Sequence, residues 1–129
     1  MRKSRYMLQL FQESLSLWEK YFLAWTTHNT EGIQEIFTQD CRYIIIKRRI
    51  ICFNLSRLLG YWIRNKYRQR NLKISWKKLF DLRDMSFAYF KSEFFDVEAD
   101  RDCVVRGVIC IKGRDKIKLL AEVYIVREI

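Results

Sequence analysis

Apolar residues near the N-terminus recur at helical spacing. Steps of three and four positions place them in one stripe along an amphipathic helix that would end near Thr27 and His28. The stripe consists of Leu8, Phe11, Leu15, Trp18, Phe22 and Trp25. Asn29 is then a suitable N-cap for a short second helix that ends before Asp40. The apolar residues of this second helix are Ile33, Ile36 and Phe37.

The middle of the chain predicts a basic hairpin and a third helix. Between Cys41 and Phe53, β-branched residues are interrupted by the basic residues 47–49, which indicates two strands joined by a turn. Ser56 can cap the third helix, which would end after Tyr67 because no apolar spacing continues beyond it. Its apolar residues are Leu58, Leu59, Trp62 and Ile63.

The remaining pattern is typical of extended strands. Apolar residues predict strands over 72–80, 85–97, 103–112 and 117–127, and short polar turns would join the last three into an antiparallel meander. Helices followed by strands favour an α+β fold in which three N-terminal helices pack in a strongly curved, mostly antiparallel sheet. Because no linker or internal repeat is visible, we expect residues 1–129 to form a single domain.

Composition narrows the class of protein further. The chain has 129 residues, half of them hydrophobic and none proline, which is enough for one core and argues against disorder. The basic residues 1–6 are followed by polar positions rather than a secretion signal, and no apolar run approaches the roughly 18 residues of a membrane span. The four cysteines include no Cys-x-x-Cys pair and there is one histidine. We therefore expect a cytoplasmic protein without metal, organic cofactor or membrane association.

Four stretches in order resemble the nuclear transport factor 2-like superfamily, which includes SnoaL-like cyclases and ketosteroid isomerases. Residues 21–43 are similar to its helix, break, short helix and first strand, and Leu59, Gly60, Tyr61 and Trp62 to its third helix. Residues 90–94 and 107–124 are similar to its later strands. This resemblance implies a cystatin-like cone whose cavity, between the helices and the sheet, is the functional site, and a homodimer formed through the other sheet face.

The resemblance also allows the residues needed for ketosteroid isomerase activity to be looked for in this sequence. The isomerase branch uses a carboxylate to move a proton, and a phenol with a protonated carboxylic acid to stabilise the enolate oxygen. Carried over by position, the phenol falls on Tyr21, the base on Ile45 and the second acid on Gly107. Neither an isoleucine nor a glycine side chain can carry a proton, so we do not expect ketosteroid isomerase activity.

Strand alternation completes the predicted cavity. If Ile45 faces the interior, then Tyr43 does too, and the same parity on the last strand turns Leu120, Glu122 and Tyr124 inward. The predicted pocket residues are Tyr21, Trp25, Tyr43, Ile45, Trp62, Gly107, Glu122 and Tyr124. Because most of these walls are apolar, the expected ligand is a hydrophobic or weakly acidic small molecule.

Glu122 is the main candidate for chemistry, and two interpretations remain open. It can form an ion pair with a basic residue across the sheet, or it can be a buried carboxyl group with a raised pKa that serves as acid or base, with Tyr21 as hydrogen-bond donor. Glu93 is a weaker second candidate. Whether the protein is an enzyme stays open. An enzyme of this kind would be a cofactor-independent isomerase, cyclase or dehydratase-like lyase.

The positive charge is concentrated in one segment. The net charge is +10, yet twelve basic residues and no acidic residue lie between Cys41 and Phe80, so the rest of the chain is slightly acidic. A basic patch at Arg64, Lys66, Arg68 and Arg70 would lie outside the cavity. It could form a solvated face that steers anionic ligands, a protein interface, or a nucleic-acid surface, which is not favoured because no nucleic-acid module is recognised. The alternative to a cavity-binding domain is thus a non-catalytic interaction module.

Overall fold

Three helices and six strands make up the described part of the chain. The computed structural model describes residues 15–46 and 48–128, with side chains as far as Ile125. The helices are α1 (Leu17–Thr26), α2 (Thr30–Ile36) and α3 (Leu55–Arg68). The strands are β1 (Phe37–Ile45), β2 (Ile50–Cys52), β3 (Gln69–Leu82), β4 (Met85–Asp96), β5 (Arg101–Lys112) and β6 (Ile117–Glu128). None of these helices is long and apolar enough to cross a membrane.

The helix starts are set by side-chain caps. Ser16 has extended backbone and forms a capping box with Glu19, in which the Ser16 hydroxyl accepts from the Glu19 amide at 3.2 Å. The predicted helix is therefore not continuous through Leu15 and Ser16, because α1 begins at Leu17; the part of the prediction before Leu15 lies outside the described residues. Helix α3 is capped by Asn54 rather than by the predicted Ser56.

The connection from α2 to the sheet is shorter than predicted. Asn29 caps α2 as expected, with its side-chain oxygen accepting from the Gly32 amide at 3.2 Å. Phe37, which was expected in this helix, is instead the first residue of β1. The strand therefore starts before Cys41, and the buried Phe37 side chain joins the core from the sheet.

The six strands form one curved, open sheet in the order β2-β1-β6-β5-β4-β3. The predicted hairpin of β1 and β2 and the predicted antiparallel meander of β4, β5 and β6 are both present. The structure adds a parallel pairing of β1 with β6, in which Tyr43 lies beside Leu120 and Ile45 beside Glu122. The mixed α+β class is confirmed, and the parallel pair brings the first and last strands together at the middle of the sheet.

The core lies between the three helices and the inner face of the sheet. Aromatic rings fill much of it: Trp25 of α1 lies 5.4 Å from Phe90 of β4, and Tyr21 lies 5.8 Å from Trp62 of α3, measured between ring centroids. The opposite face of the sheet carries exposed apolar side chains, among them Val108 and Val123, which are paired across β5 and β6. The fold therefore has one apolar face covered by its helices and one that is not.

Candidate functional site

A narrow cavity lies between helices α1 and α3 and the inner face of the sheet. Its volume is about 60 Å³, which corresponds to about two water molecules of liquid volume and is well below the roughly 150 Å³ of a cavity that accepts benzene. Aromatic side chains form much of its wall, contributed by Trp25, Tyr43, Tyr61, Trp62, Phe94 and Tyr124. The space is therefore suited to a molecule of a few heavy atoms.

Most of the predicted pocket residues meet at this cavity. Those that line it are Trp25, Tyr43, Ile45, Trp62, Glu122 and Tyr124. Tyr21 does not line it but is fully buried behind the wall, between Trp25 and Trp62. Gly107 does not line it either, because it lies where β5 passes between Phe90 of β4 and Tyr124 of β6. A direct contact between Tyr21 and a ligand is therefore not part of this geometry.

Glu122 is the buried carboxyl group of the cavity. Its side chain is flanked in register by Ile45 on β1 and Ile109 on β5, both fully buried, and Glu122 itself is 5% exposed. No side chain among the described residues forms a hydrogen bond or ion pair with its carboxyl group. Burial raises the pKa of Glu122 to about 8, although the positive charge of Arg48 acts in the opposite direction. The carboxyl group is therefore mostly protonated at neutral pH, and the part of the chain that the structure describes contains no cross-strand ion pair of Glu122.

Several tyrosine hydroxyls surround this carboxyl group. Burial raises the pKa of Tyr61 to about 12, and raises the pKa values of Tyr21 and Tyr43 well above the usual value. The Tyr21 hydroxyl has no hydrogen-bond partner of good geometry among the described residues, yet it lies close enough to Tyr43 for the two phenols to affect each other's pKa. All these phenols stay neutral at physiological pH, so Glu122 is the group whose protonation can change there.

An ion pair closes one side of the cavity. Arg68 at the end of α3 contacts Asp96 at the end of β4, with 3.0 Å between Nη2 and Oδ2, and both residues line the cavity. Burial alone would raise the pKa of Asp96, but hydrogen bonds from Arg68 and from the amides of Ala99 and Glu98 outweigh it and lower the pKa. Asp96 thus stays ionised and ties α3 to the far end of the sheet.

These contacts correct the predicted position of the basic segment. Arg68 belongs to the cavity rim and is paired with Asp96, and Arg48 from the turn after β1 also lines the cavity. The segment therefore does not lie wholly outside the cavity. Arg64, Lys66 and Arg70 are exposed, as a surface patch requires. Glu93 lies outside the cavity, paired with Lys91 at 2.9 Å.

The sequence did not predict several polar residues of the wall as pocket residues. They are Arg48, Asn65, Arg68, Gln69, Ser92 and Asp96. For Ser92 a signal was available, since it shares the inward parity of Phe90 on β4. The others depend on how α3 lies across the sheet. Among the described residues, no group of three or more His, Cys, Asp or Glu side chains could hold a metal ion.

In this α+β fold the helices cover one face of a curved sheet, and a small cavity lies between the two layers. Solved structures of other proteins share this arrangement. A protein of ketosteroid isomerase-like fold from Catenulispora acidiphila, in complex with trimethylamine, is 15% identical, with coverage of 83% of each chain and a TM-score of 0.75. A candidate SnoaL-like polyketide cyclase from Shewanella denitrificans is 10% identical over 84% of this chain and 88% of its own, also with a TM-score of 0.75.

A third similar structure is the epoxide hydrolase/cyclase-like enzyme SalBIII, which acts in pyran ring formation in polyether salinomycin. It is 12% identical, with coverage of 88% of this chain and 93% of its own and a TM-score of 0.75. No protein-family model and no curated protein matches the sequence. The chain has the fold of the nuclear transport factor 2-like superfamily, so the resemblance predicted from the sequence is confirmed at the level of the fold.

Proposed function

We propose that this protein binds a small hydrophobic or weakly acidic molecule in the cavity between its helices and sheet. The observation that carries the proposal is Glu122, a buried carboxyl group without a partner among the described residues, in a wall of which half of the side chains are aromatic or aliphatic. Proteins of this fold include one solved with a bound small molecule and others described as cyclases. These neighbours support a small-molecule site.

The energetic cost of Glu122 supports a functional role. Burial of a polar group without a hydrogen bond costs about 1 to 3 kcal/mol, whereas an aliphatic side chain between Ile45 and Ile109 would cost nothing of this kind. Groups whose pKa is strongly shifted by burial in a cleft are typical of binding and catalytic sites. A ligand that hydrogen-bonds to the Glu122 carboxyl group would recover part of that cost.

Acid or base activity by Glu122 is the catalytic form of the same proposal. A carboxyl group with a pKa of about 8 can both donate and accept a proton near neutral pH. Tyr21 would act only by positioning Tyr43, because it does not line the cavity.

We propose a single domain over residues 1–129 that acts in the cytoplasm without cofactor. The continuous core from α1 to β6 supports the single domain.

A thermal-shift screen tests the proposed site. Compounds of about three to six heavy atoms, including acids, amides, ketones, alcohols and amines, are expected to give hits that raise the melting temperature of the wild type. Glu122→Leu should lose most of these hits, because a leucine side chain offers no hydrogen bond to the ligand. The matched control is Glu93→Leu outside the cavity, which should keep them. Hits that persist equally in both variants would place binding elsewhere.

The screen also distinguishes the cavity function from the alternative, an interaction module. An interaction module that uses the basic segment would give no small-molecule hits but would bind heparin in a strongly salt-dependent way. That binding should then depend on the exposed Arg64 and Lys66. Arg68 cannot be counted with them, since it is paired with Asp96. We favour the cavity function because two of the segment's arginines, Arg48 and Arg68, line the cavity.

We further propose that two copies associate through the outer face of the sheet. Val108 and Val123 are paired across β5 and β6, and the neighbouring Ile125 is 66% exposed. A contiguous apolar patch that its own helices do not cover is typical of an interface, and a second copy presents the same patch around a twofold axis.

The association is tested by light scattering coupled to size-exclusion chromatography. The wild type is expected to elute as a dimer at micromolar concentration, and Val123→Glu as a monomer, because the carboxylate would be buried unpaired in the interface. Phe53→Glu changes a more exposed apolar residue that follows the edge strand β2, away from the β5–β6 pair, and should leave the dimer intact. A monomeric wild type would contradict the proposed dimer but not the cavity function.

A further inference from the structure

Two buried hydrogen-bond donors in the cavity wall have no acceptor. They are Nε1 of Trp62 on α3 and Oγ of Ser92 on β4, and neither atom has a hydrogen-bond partner among the described residues. Two other tryptophans of the core show the usual arrangement. Trp18 donates to Ser86 Oγ at 2.7 Å and Trp25 donates to Gln69 Oε1 at 3.1 Å. Buried polar groups are normally paired, so the Trp62 indole and the Ser92 hydroxyl need an explanation.

The hydrogen-bonding chemistry of these groups indicates which kind of ligand would pair with them. An indole N–H can only donate, a serine hydroxyl can donate, and a protonated carboxyl group donates its O–H. The cavity wall at Trp62 and Ser92 therefore offers two donors without an acceptor among the described residues, and the protonated carboxyl group of Glu122 adds a third donor. A ligand rich in acceptor oxygens would satisfy this set, whereas an alcohol or amine would bring further donors.

The charges around the cavity also favour a ligand with acceptor oxygens. Arg68 and Asp96 neutralise each other, while Arg48 has no ion pair with an acidic side chain among the described residues. With Glu122 protonated, the cavity therefore carries one uncompensated positive charge near its carboxyl group. Arg48 is exposed, so solvent screens part of its charge, but that charge still favours an anionic ligand over a cation.

We propose that the cavity binds a short monocarboxylate, whose carboxylate oxygens accept hydrogen bonds from Trp62 Nε1, Ser92 Oγ and the Glu122 carboxyl group while Arg48 balances its charge. This inference rests on the proposed small-molecule function and names its ligand class. The cavity of about 60 Å³ holds the carboxylate group, and the short alkyl part of acetate or propionate packs against the aromatic wall where the cavity opens to solvent.

The proposal has a characteristic pH dependence. The groups that face Glu122 from the elements around it are Arg48 from the β1–β2 turn, Tyr43 from β1, Tyr61 from α3, Tyr124 from β6 and, behind the wall, Tyr21 from α1. On β5 its neighbour is the uncharged Ile109. Burial raises the pKa values of these tyrosines, so they remain neutral through pH 9. Ionisation of Glu122 therefore decides the charge of the wall.

A carboxylate and a cation must respond oppositely to that ionisation. Carboxylate affinity should be constant well below pH 8 and fall about tenfold per pH unit above it, because an ionised Glu122 repels the ligand. A quaternary ammonium ion should bind more tightly above pH 8. Between pH 6.5 and pH 9.5, propionate is expected to lose about thirtyfold in affinity.

Isothermal titration calorimetry of the full chain tests the inference with propionate and tetramethylammonium, two probes of five heavy atoms, at pH 6.5 and 9.5. Propionate should bind at pH 6.5, and Trp62→Phe, which removes the N–H and keeps an aromatic ring, should weaken it about tenfold. Ser92→Ala is a smaller change that should weaken it several-fold and serves if Trp62→Phe does not fold. Trp18→Phe, outside the cavity, is the matched control and should bind propionate as the wild type does.

Four results would overturn the inference. Propionate affinity that is unchanged in both Trp62→Phe and Ser92→Ala would show that these donors do not hold the ligand. Tetramethylammonium binding that strengthens at pH 9.5, with no propionate binding, would replace the carboxylate by a cation while leaving a small-molecule site in place. Absence of binding by either probe, with hits among neutral compounds in the thermal-shift screen, would reject the carboxylate class alone. Absence of every hit would reject the site itself.

Discussion

Replacement of Gly107 by alanine is expected to destabilise the protein by at least about 2 kcal/mol. A β-carbon at this position would clash with the carbonyl oxygen of Val123, and would lie 2.8 Å from the Phe90 ring and 2.9 Å from Cβ of Tyr124. The Val123 carbonyl is part of the β6 backbone, and the Phe90 ring is fully buried. Neither can therefore move without disturbing the sheet or the core. Relief of the clash therefore requires a shift of β5 against both of its neighbours.

Gly60 provides the control for this substitution. It lies within α3, and a β-carbon there would meet no atom within 4 Å. Gly60→Ala should raise stability by about 0.5 to 1 kcal/mol, because alanine loses less backbone entropy in a helix than glycine does. Urea unfolding followed by circular dichroism measures both variants. A Gly107→Ala variant as stable as the wild type would mean that β5 and β6 are less closely packed than they are in this structure.

Gly107 also shows why the isomerase constellation cannot be restored in this chain. It stands where the resemblance carries over the second acid of the isomerases, and a side chain of any size would enter the space of Phe90 and Tyr124. The sequence could only say that glycine cannot carry a proton. The structure adds that Phe90 and Tyr124 occupy the space that an acidic side chain would need at this position.

Alternation along regular strands predicted the inner face of the sheet well. Tyr43 and Ile45 on β1, and Glu122 and Tyr124 on β6, are buried and line the cavity, as period-two alternation indicated. This pattern is robust because a shift of one residue would turn every side chain of the strand to the opposite face. The start of α1 was also within reach of the sequence, since Ser16 and Glu19 have the spacing of a capping box.

Contacts between elements that are distant in sequence were not accessible in this way. Arg68 was assigned to a surface patch because its sequence neighbours are basic, but its partner Asp96 lies 28 residues later at the end of another strand. The missing acceptor of Trp62 likewise depends on how α3 sits over the sheet. The size of the cavity depends on the same packing, so residue types alone could suggest its walls but not its volume.

Removal of the Glu122 charge is expected to stabilise the protein at alkaline pH, by on the order of 5 kcal/mol above pH 8. Burial raises the pKa of this carboxyl group from 4.5 to about 8 in the folded state. Between these two values the folded protein holds a proton that the unfolded chain has lost. Stability is therefore greatest below pH 4.5 as far as this group is concerned, and it declines as pH rises towards 8.

Glu122→Gln isolates this contribution, because glutamine resembles the protonated side chain and does not titrate. The two proteins should be about equally stable at pH 5, and the difference in favour of the variant should grow with pH and level off above pH 8. Urea unfolding at a series of pH values from 5 to 9 measures it, and the subtraction cancels the titrations that both proteins share. Glu93→Gln is the control, since hydrogen bonding to Lys91 lowers the pKa of Glu93.

The form of the pH dependence also reports on the cavity itself. For Glu93 a stability difference between wild type and variant should change only below about pH 4.5, so its curve should be flat across the range in which the Glu122→Gln curve rises. A Glu122→Gln difference that is equally flat would mean that water or a partner solvates the carboxylate, and a protonated donor would then be lost from the wall at neutral pH. A rising curve that a bound carboxylate displaces to higher pH would link the burial of Glu122 to its use, because the ligand holds the proton in place.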